Sequence, residues 1–423
     1  MIHTVTTQST MPQFASGHQV HLLEGTVELF PALIAAMDAA QSDIRMETYI
    51  FDFTGTGADI STALVRAALR GVRVQLVVDG VGTGTMPADW RVRFDAAGVQ
   101  WRVYNPLGRM GLLLPSRWRR LHRKLVVVDG GTPQAVAFCG GINILDDYHD
   151  PNHGVLEAPR FDFSVRVAGP LVDAVLEATE KLWQRMQAAR ELRQGAISAA
   201  KTSWASSRVV LLKRSDRTSV VPAADGGHLV RAALLLRDNL RNRKRIEQAY
   251  LKAIGEAHHE VIIANAYFLP GGKLRRAIIA AARRGVKVTL LLQGKYEYFM
   301  QFHASRPVYS ALLEAGVEIN EYAASFLHAK VAVVDADQPK AWATVGSSNL
   351  DPLSLLLARE ANVVVQSREF AQTLRARLVH AMAQGGKQIS PADYANRPWL
   401  KRVQERGAYA VVRAMLWVTG NRY

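Results

Sequence analysis

The chain has 423 residues, a formal net charge of +15 at neutral pH and a single Cys. With 49% hydrophobic and 21% charged residues it can bury a large core, which excludes a disordered chain, and one Cys excludes both an intrachain disulfide framework and a Cys-rich zinc site. The basic balance points to an anionic partner, either nucleic acid or an acidic membrane surface.

In chain order, residues 1–17 hold no basic segment followed by an apolar run, so they read as an N-terminal extension and not as a signal peptide. No apolar stretch approaches the ~20 residues that span a bilayer. From His18 a first unit begins. It contains the strand-like Ile44-Arg-Met-Glu-Thr-Tyr49-Ile-Phe, a helix over Ala63–Arg70, and the strand-like Gly71-Val-Arg-Val-Gln-Leu-Val-Val. The Gly suits the left-handed turn that ends a helix, and the apolar run after it suits a strand buried on both faces. Residues 194–207, rich in Ala, Ser and Gly, read as a linker. The same phrase then returns as Val261-Ile-Ile-Ala-Asn-Ala-Tyr267-Phe, Leu274–Arg284 and Gly285-Val-Lys-Val-Thr-Leu-Leu-Leu. The expected domains are therefore two repeats, 18–193 and 208–383, followed by a tail, 384–423. Alternating strands and helices imply an α/β fold.

Each repeat carries one chemical phrase. His122-Arg-Lys124 is followed by four aliphatic residues and Asp129, and His328-Ala-Lys330 by four more and Asp335. A glycine turn follows each: Gly140-Gly141-Ile-Asn143 and Gly346-Ser347-Ser348-Asn349. In both, the first Gly stands 18 and the Asn 21 residues after the His. Residues two apart on a strand share a face, so each His projects with its Lys. Two imidazoles, two ammonium groups and two amides facing each other would hold a tetrahedral phosphoryl group. The turns, through Gly141, Ser347, Asn143 and Asn349, would offer backbone N–H groups and amides to its oxygens. One His would attack phosphorus and the other protonate the leaving oxygen. Asp162 and Glu360 are the candidates for orienting the rings. Asp129 and Asp335 either join the chemistry or close strand ends.

The doubled His-x-Lys-x4-Asp with its Gly/Asn turn resembles the phospholipase D superfamily over about His18 to Met382. Glu47-Thr-Tyr-Ile-Phe, Arg120-Leu-His-Arg-Lys, Ala264-Asn-Ala-Tyr-Phe-Leu-Pro, Leu327-His-Ala-Lys and Gly346-Ser-Ser-Asn-Leu-Asp-Pro-Leu-Ser bring it nearest the bacterial cardiolipin synthases of class B type. Arg237-Asp-Asn followed by Arg243-x-Arg-Ile-Glu-x-Ala-Tyr250 also fits. The segment Leu357-Ala-Arg-Glu360 departs from residues that such synthases often carry there. The resemblance implies two similar α/β/α sandwich domains in pseudo-twofold arrangement around one shared active site. It also implies phosphatidyl transfer between two phosphatidylglycerol molecules through a phosphatidyl-histidine, without metal or cofactor. Peripheral attachment to the cytoplasmic face of the bacterial inner membrane follows from the same likeness, with no nucleic acid partner. The sequence carries no nucleotide-binding glycine loop.

Where the charge sits agrees with a membrane. Six Arg/Lys and no acids lie between Arg109 and Lys124, beside the apolar Met110-Gly-Leu-Leu-Leu-Pro115. Arg237 and Arg241–Arg245 form a second basic cluster, assigned to a helix running to Tyr250. The tail from Trp399 to Trp417 reads as an amphipathic interfacial helix, or else one docked on the second repeat. His149-Asp-Pro-Asn-His153 reads as a turn beside a cleft before it reads as a metal site, and His258-His259 as a helix end. The competing functions are a phospholipase D that sends the same intermediate to water, a phosphodiesterase acting on nucleic acid, and a non-enzymatic basic binding protein.

Overall fold

The computed structural model describes residues 14–108, 118–150, 153–209, 229–238, 242–295, 306–351, 358–399, 403–405, 407 and 410–411. Its first unit comprises β1 (Ala15–Glu24), α1 (Gly25–Ala39), β2 (Asp43–Thr48), α2 (Gly55–Leu69), β3 (Arg73–Asp79), α3 (Ala88–Ala97), β4 (Gln100–Tyr104), β5 (Arg120–Leu121), β6 (Lys124–Val128) and β7 (Val136–Gly140). A short hairpin, β8 (His149–Asp150) and β9 (Gly154–Val155), precedes β10 (Phe163–Ala168), α4 (Leu171–Arg193) and α5 (Ile197–Val209). The second unit repeats the plan with β11 (Val230–Arg237), α6 (Arg245–Gly255), β12 (Glu260–Asn265), α7 (Gly272–Arg283), β13 (Lys287–Gln293), α8 (Tyr309–Glu314), β14 (Glu318–Tyr322), β15 (Lys330–Val334), β16 (Trp342–Gly346), β17 (Ala358–Gln366) and α9 (Arg368–Gly385). Last come β18 (Gly386–Gln388) and α10 (Pro391–Ala395).

The strand order within the first unit is β1-β10-β7-β6-β2-β3-β4, and the second unit matches it strand for strand as β11-β17-β16-β15-β12-β13-β14. In each unit two pairings are parallel, β2–β3 and β3–β4 or β12–β13 and β13–β14, and the others are antiparallel. The central strands read as apolar runs because helices cover one face and the other unit the opposite face.

The units meet at β1 and β11, which pair antiparallel only at Ala15↔Ala232 and His18↔Val230, with a register shift between. In a flat sheet β7 would stand four strands from β17, about 19 Å away. Instead β7 touches both β16 and β17, so the sheet folds back and the two halves face each other. A shared inner core results, with Leu125, Cys139, Phe163 and Val165 from one unit and Val331, Val345, Val363 and Leu374 from the other. Two outer cores lie beneath α1–α3 and beneath α6–α8, and Phe14, just before β1, packs against the second of them. This is the pseudo-twofold pair of α/β/α layers expected from the sequence.

Several boundaries differ from the sequence reading. β1 begins at Ala15, inside the expected extension. The expected linker carries α5, which packs on α4. β18, inside the expected tail, extends the second sheet by pairing with β14. Arg237 ends a strand and is buried, whereas the helix starts only at Arg245, so the second basic cluster is not one helix face. Part of the tail docks on the second unit: Tyr394 is buried, its hydroxyl donates to the Arg306 carbonyl, and Arg397 lies over its ring while pairing with Glu405 at 3.1 Å. The Met110–Pro115 segment, Arg241 and most of Trp399–Trp417 lie outside the described residues. Among the described residues no helix is long and apolar enough to cross a membrane.

Candidate active site

Each His-x-Lys phrase enters its strand only after crossing to the other unit. β5 pairs in parallel with the start of β17, and the His122 N–H donates to the Arg359 carbonyl at 3.0 Å. Symmetrically, Leu327 bridges Phe161, and the N–H groups of His328 and Ala329 donate to the Phe161 carbonyl at 2.9 and 3.0 Å. Thus each histidine is positioned by main chain from the opposite repeat.

The same crossing sets the acids. His122 Nδ1 lies 3.1 Å from the Glu360 carboxylate, and His328 Nδ1 lies 2.6 Å from Asp162 Oδ2. With Nδ1 engaged, Nε2 of each ring is left for chemistry. Lys124 and Lys330 are buried, and each ammonium donates back to the carbonyl of its own histidine. The charges are coupled. Burial brings Lys124 down to about 7, against the attraction of Glu360 and with the repulsion of Lys330. Burial also lowers His122, partly offset by Glu360, and lowers His328 further because Lys330, Lys124, His122 and Arg160 add to it.

The two acids respond differently. Burial lifts Asp162 to about 7. Burial acts the same way on Glu360, but His122, Lys124 and the Ser347 hydroxyl outweigh it and hold this carboxyl below its ordinary value. His122 and Lys124 make the larger part of this difference, and a one-residue difference in the glycine turns adds to it. Ser347 donates its hydroxyl to Glu360. Gly141 stands at the matching place, where a Cβ would lie 2.4 Å from Asp162 Oδ1. A serine there would collide with the acid.

The turns do not act as expected in one respect. The Gly141 N–H donates to the Phe163 carbonyl at 2.9 Å and the Ser347 N–H to Ala361 at 3.0 Å, so the strand ladder consumes both and neither is available to an anion. Asn143 accepts the Ile50 N–H through Oδ1, at 3.2 Å, and Asn349 is buried beside the matching turn. Gly140 and Gly346 are required sterically, because a Cβ at either would lie within 2.4 Å of the neighbouring strand.

Asp129 and Asp335 do not join the site. Each follows the far end of its strand, about 17 Å from the lysine at 3.3 Å per residue. The Asp129 carboxylate accepts N–H groups of Gln41, Ser42 and Asp43, and that of Asp335 accepts those of His258, His259 and Glu260. Both residues have positive φ, 53° and 49°, which Asp tolerates. They close strand ends. His258 and His259 are exposed and contribute through their backbone.

Two features escaped the sequence reading. Asp79 ends β3 and accepts the Leu121 N–H at 2.8 Å, while Gln293 ends β13 and accepts the Leu327 N–H at 3.2 Å. The detectable signal was a polar residue closing each of two matched apolar runs. The second is a buried ion pair, Arg123–Glu47, with Nε–Oε2 at 2.5 Å, behind His122. In the second repeat the matching residues are Ala329 and Ala264, both fully buried. In the His149–His153 loop, Asp150 accepts from His153 at 2.9 Å and from Arg160 at 2.6 Å.

The profile of the family described as "Cardiolipin synthase, PLD-like domain" matches residues 33–156 and 250–382. The chain is similar to cardiolipin synthase B of Shigella flexneri, with 35% identity over 393 residues that cover 90% of this chain and 85% of the relative. It is 36% identical to cardiolipin synthase B of Salmonella typhimurium over the same shares. Among solved structures, the phosphatidylserine synthase of Haemophilus influenzae shares the fold, with a TM-score of 0.64 at 13% identity over 97% of both chains.

Proposed function

The chain belongs to the family of cardiolipin synthases with phospholipase D-like domains, and on that premise we propose that it joins two phosphatidylglycerol molecules into cardiolipin and glycerol through a phosphatidyl group carried on His122. It is a phospholipid phosphatidyltransferase. The observation that supports this route is the exchange of acids between repeats, which leaves two Nε2 atoms beside two buried ammonium groups.

In the first step the neutral His122 Nε2 attacks phosphorus and the bond to the donor's glycerol oxygen breaks. That oxygen takes a proton from the His328 side, where His328 and Asp162 together hold one. Lys124 and Lys330 hold the non-bridging oxygens and stabilise their developing charge. In the second step the glycerol hydroxyl of another phosphatidylglycerol gives its proton to His328 as its oxygen attacks phosphorus. The P–N bond breaks and the starting state returns. One phosphodiester replaces another, so the route needs no energy source.

The roles follow from the unequal acids. A phosphorylated imidazole is cationic, and the ionised Glu360 at its Nδ1 stabilises it. Asp162, brought to about 7, keeps a shared proton near His328 at neutral pH. Asn143 and Asn349 support the turns, and their amides are the remaining candidates for phosphate contact. The basic surface suits peripheral binding to anionic lipid on the cytoplasmic face of the inner membrane.

The test is incubation with phosphatidylglycerol vesicles and lipid mass spectrometry, with His122→Ala and His328→Ala as controls. Cardiolipin plus glycerol from the wild type, and at least about a 1,000-fold loss in each variant, is expected. Phosphatidic acid alone would place the enzyme among hydrolases. Wild-type turnover in either variant would overturn the two-histidine route.

A further inference from the structure

We propose that Asp79 is a positioning residue for the His122 half of the site, setting the main chain before His122 and supplying a fixed negative charge behind Lys124 that the His328 half lacks. This rests on the phosphatidyl-transfer reading above. The geometry is direct. Asp79 is fully buried. Its Oδ2 accepts the Leu121 N–H at 2.8 Å, and its Oδ1 accepts the N–H groups of Val81 and Gly82 at 2.8 and 3.2 Å and Arg120 Nη1 at 3.1 Å. One carboxylate thereby joins the end of β3 to the residue next to the nucleophile.

Gln293 occupies the equivalent place. It accepts the Leu327 N–H at 3.2 Å, and its Nε2 is buried without a partner among the described residues. The backbone task is therefore common to both halves, and the charge belongs to one. If holding the main chain were the whole role, an amide would serve in both places, as it does at Gln293. A buried carboxylate costs more to desolvate than an amide: burial raises the Asp79 carboxyl above its ordinary value, and three N–H donors and Arg120 oppose that rise.

The charge acts on Lys124. The groups that face this ammonium are Glu360 from β17, Lys330 from β15, Asp162 before β10, His122 beside it, Asp79 from β3 and the Tyr49 ring at 5.5 Å. Arg123 and Glu47 lie behind and neutralise each other. Asp79 favours the charged lysine, and Arg120 screens Asp79. Removing the two groups must then move the lysine in opposite directions.

The experiment measures kcat/KM against pH on phosphatidylglycerol vesicles for the full chain and for Asp79→Asn, Asp79→Ala and Arg120→Gln. Asp79→Asn keeps an acceptor for Leu121 and loses the charge. Its alkaline limb is expected to move to lower pH, with a loss of about two- to threefold at pH 8. Asp79→Ala loses more at every pH because the main chain is also released. Arg120→Gln, at a position whose side chain is 14% exposed, moves the limb upward. A limb unmoved in both charge variants, or moved in the same direction, overturns the proposal. Should Asp79→Asn fail to give a cooperative thermal transition, an unmoved limb in Arg120→Gln overturns it alone. Failure of the underlying reading looks different: the wild type then yields no lipid product, or His122→Ala stays active.

Discussion

The His122 and His328 halves share a backbone and differ in almost every group behind it. Behind His122 stand the ionised Glu360 with its Ser347 donor, Asp79, the Arg123–Glu47 pair and Tyr49, whose ring centroid is 4.9 Å from the imidazole. Behind His328 the matching places hold Asp162 with Gly141, Gln293, Ala329 with Ala264, and Ala266. Even the residues whose carbonyls hold the two histidines differ. Arg359 donates to the Tyr104 hydroxyl at 3.2 Å, whereas Phe161 stacks on Tyr322 with centroids 5.4 Å apart. A duplicated scaffold supplies the placement of two imidazoles, and the differences in charge supply two roles.

The largest effect expected from breaking this comparison is at the acids. Glu360→Gln should cost roughly 100-fold in kcat/KM and Asp162→Asn about tenfold at neutral pH, because only Glu360 must be charged there. Equal losses in steady-state assays would make the halves equivalent. The second effect is on pH. With Lys124 and Asp162 both at about 7, kcat/KM must fall as pH rises through that value, since both protons are needed. On the acid side activity should persist below the ordinary imidazole value, because burial lowers His122. Glu360→Gln should move the alkaline limb further down, since Glu360 is the main group that favours the charged Lys124.

Smaller effects on turnover lie behind the site. Arg123→Ala leaves Glu47 buried and unpaired, and should destabilise the fold by about 3–5 kcal/mol in denaturant unfolding. Arg123→Ala with Glu47→Ala copies the second repeat and should recover most of that loss. If the double variant is no more stable than the single one, the repeats are not interchangeable at this place. Least affected is turnover in Asp129→Ala and Asp335→Ala. These should lower stability by about 1–3 kcal/mol, through three backbone N–H groups left unsatisfied, while kcat of the folded fraction is retained.

Much of this was legible in the chain. The repeat, the α/β class and the two His-x-Lys phrases follow from spacing, because strand periodicity and a fixed distance to a turn are local properties. Asp162 and Glu360 were recognisable as acids near the site, but their exchange between repeats was not. That exchange depends on where the sheet folds back at β1 and β11, which no local pattern encodes. Gly141 and Ser347 looked like anion-binding turns because a glycine turn next to an amide is common in such sites. The ladder with β10 and β17 claimed their N–H groups instead. Asp129 and Asp335 share the spacing of a catalytic motif, yet a five-residue strand carries them away from the lysines. The tail looked amphipathic from composition, and docking through Tyr394 depends on a surface that the tail's own sequence does not describe.

The central claim is that the pseudo-symmetric halves have fixed and different roles. Its most direct test is rapid quenching at alkaline pH of a reaction with phosphatidylglycerol, followed by peptide mapping of the phosphatidyl adduct in the wild type and in His328→Ala. The account predicts an adduct on His122 in both, slower to form and longer-lived in His328→Ala, because the leaving oxygen loses its acid and the acceptor hydroxyl its base. An adduct on His328 in the wild type, or one shared equally between the two histidines, would contradict it.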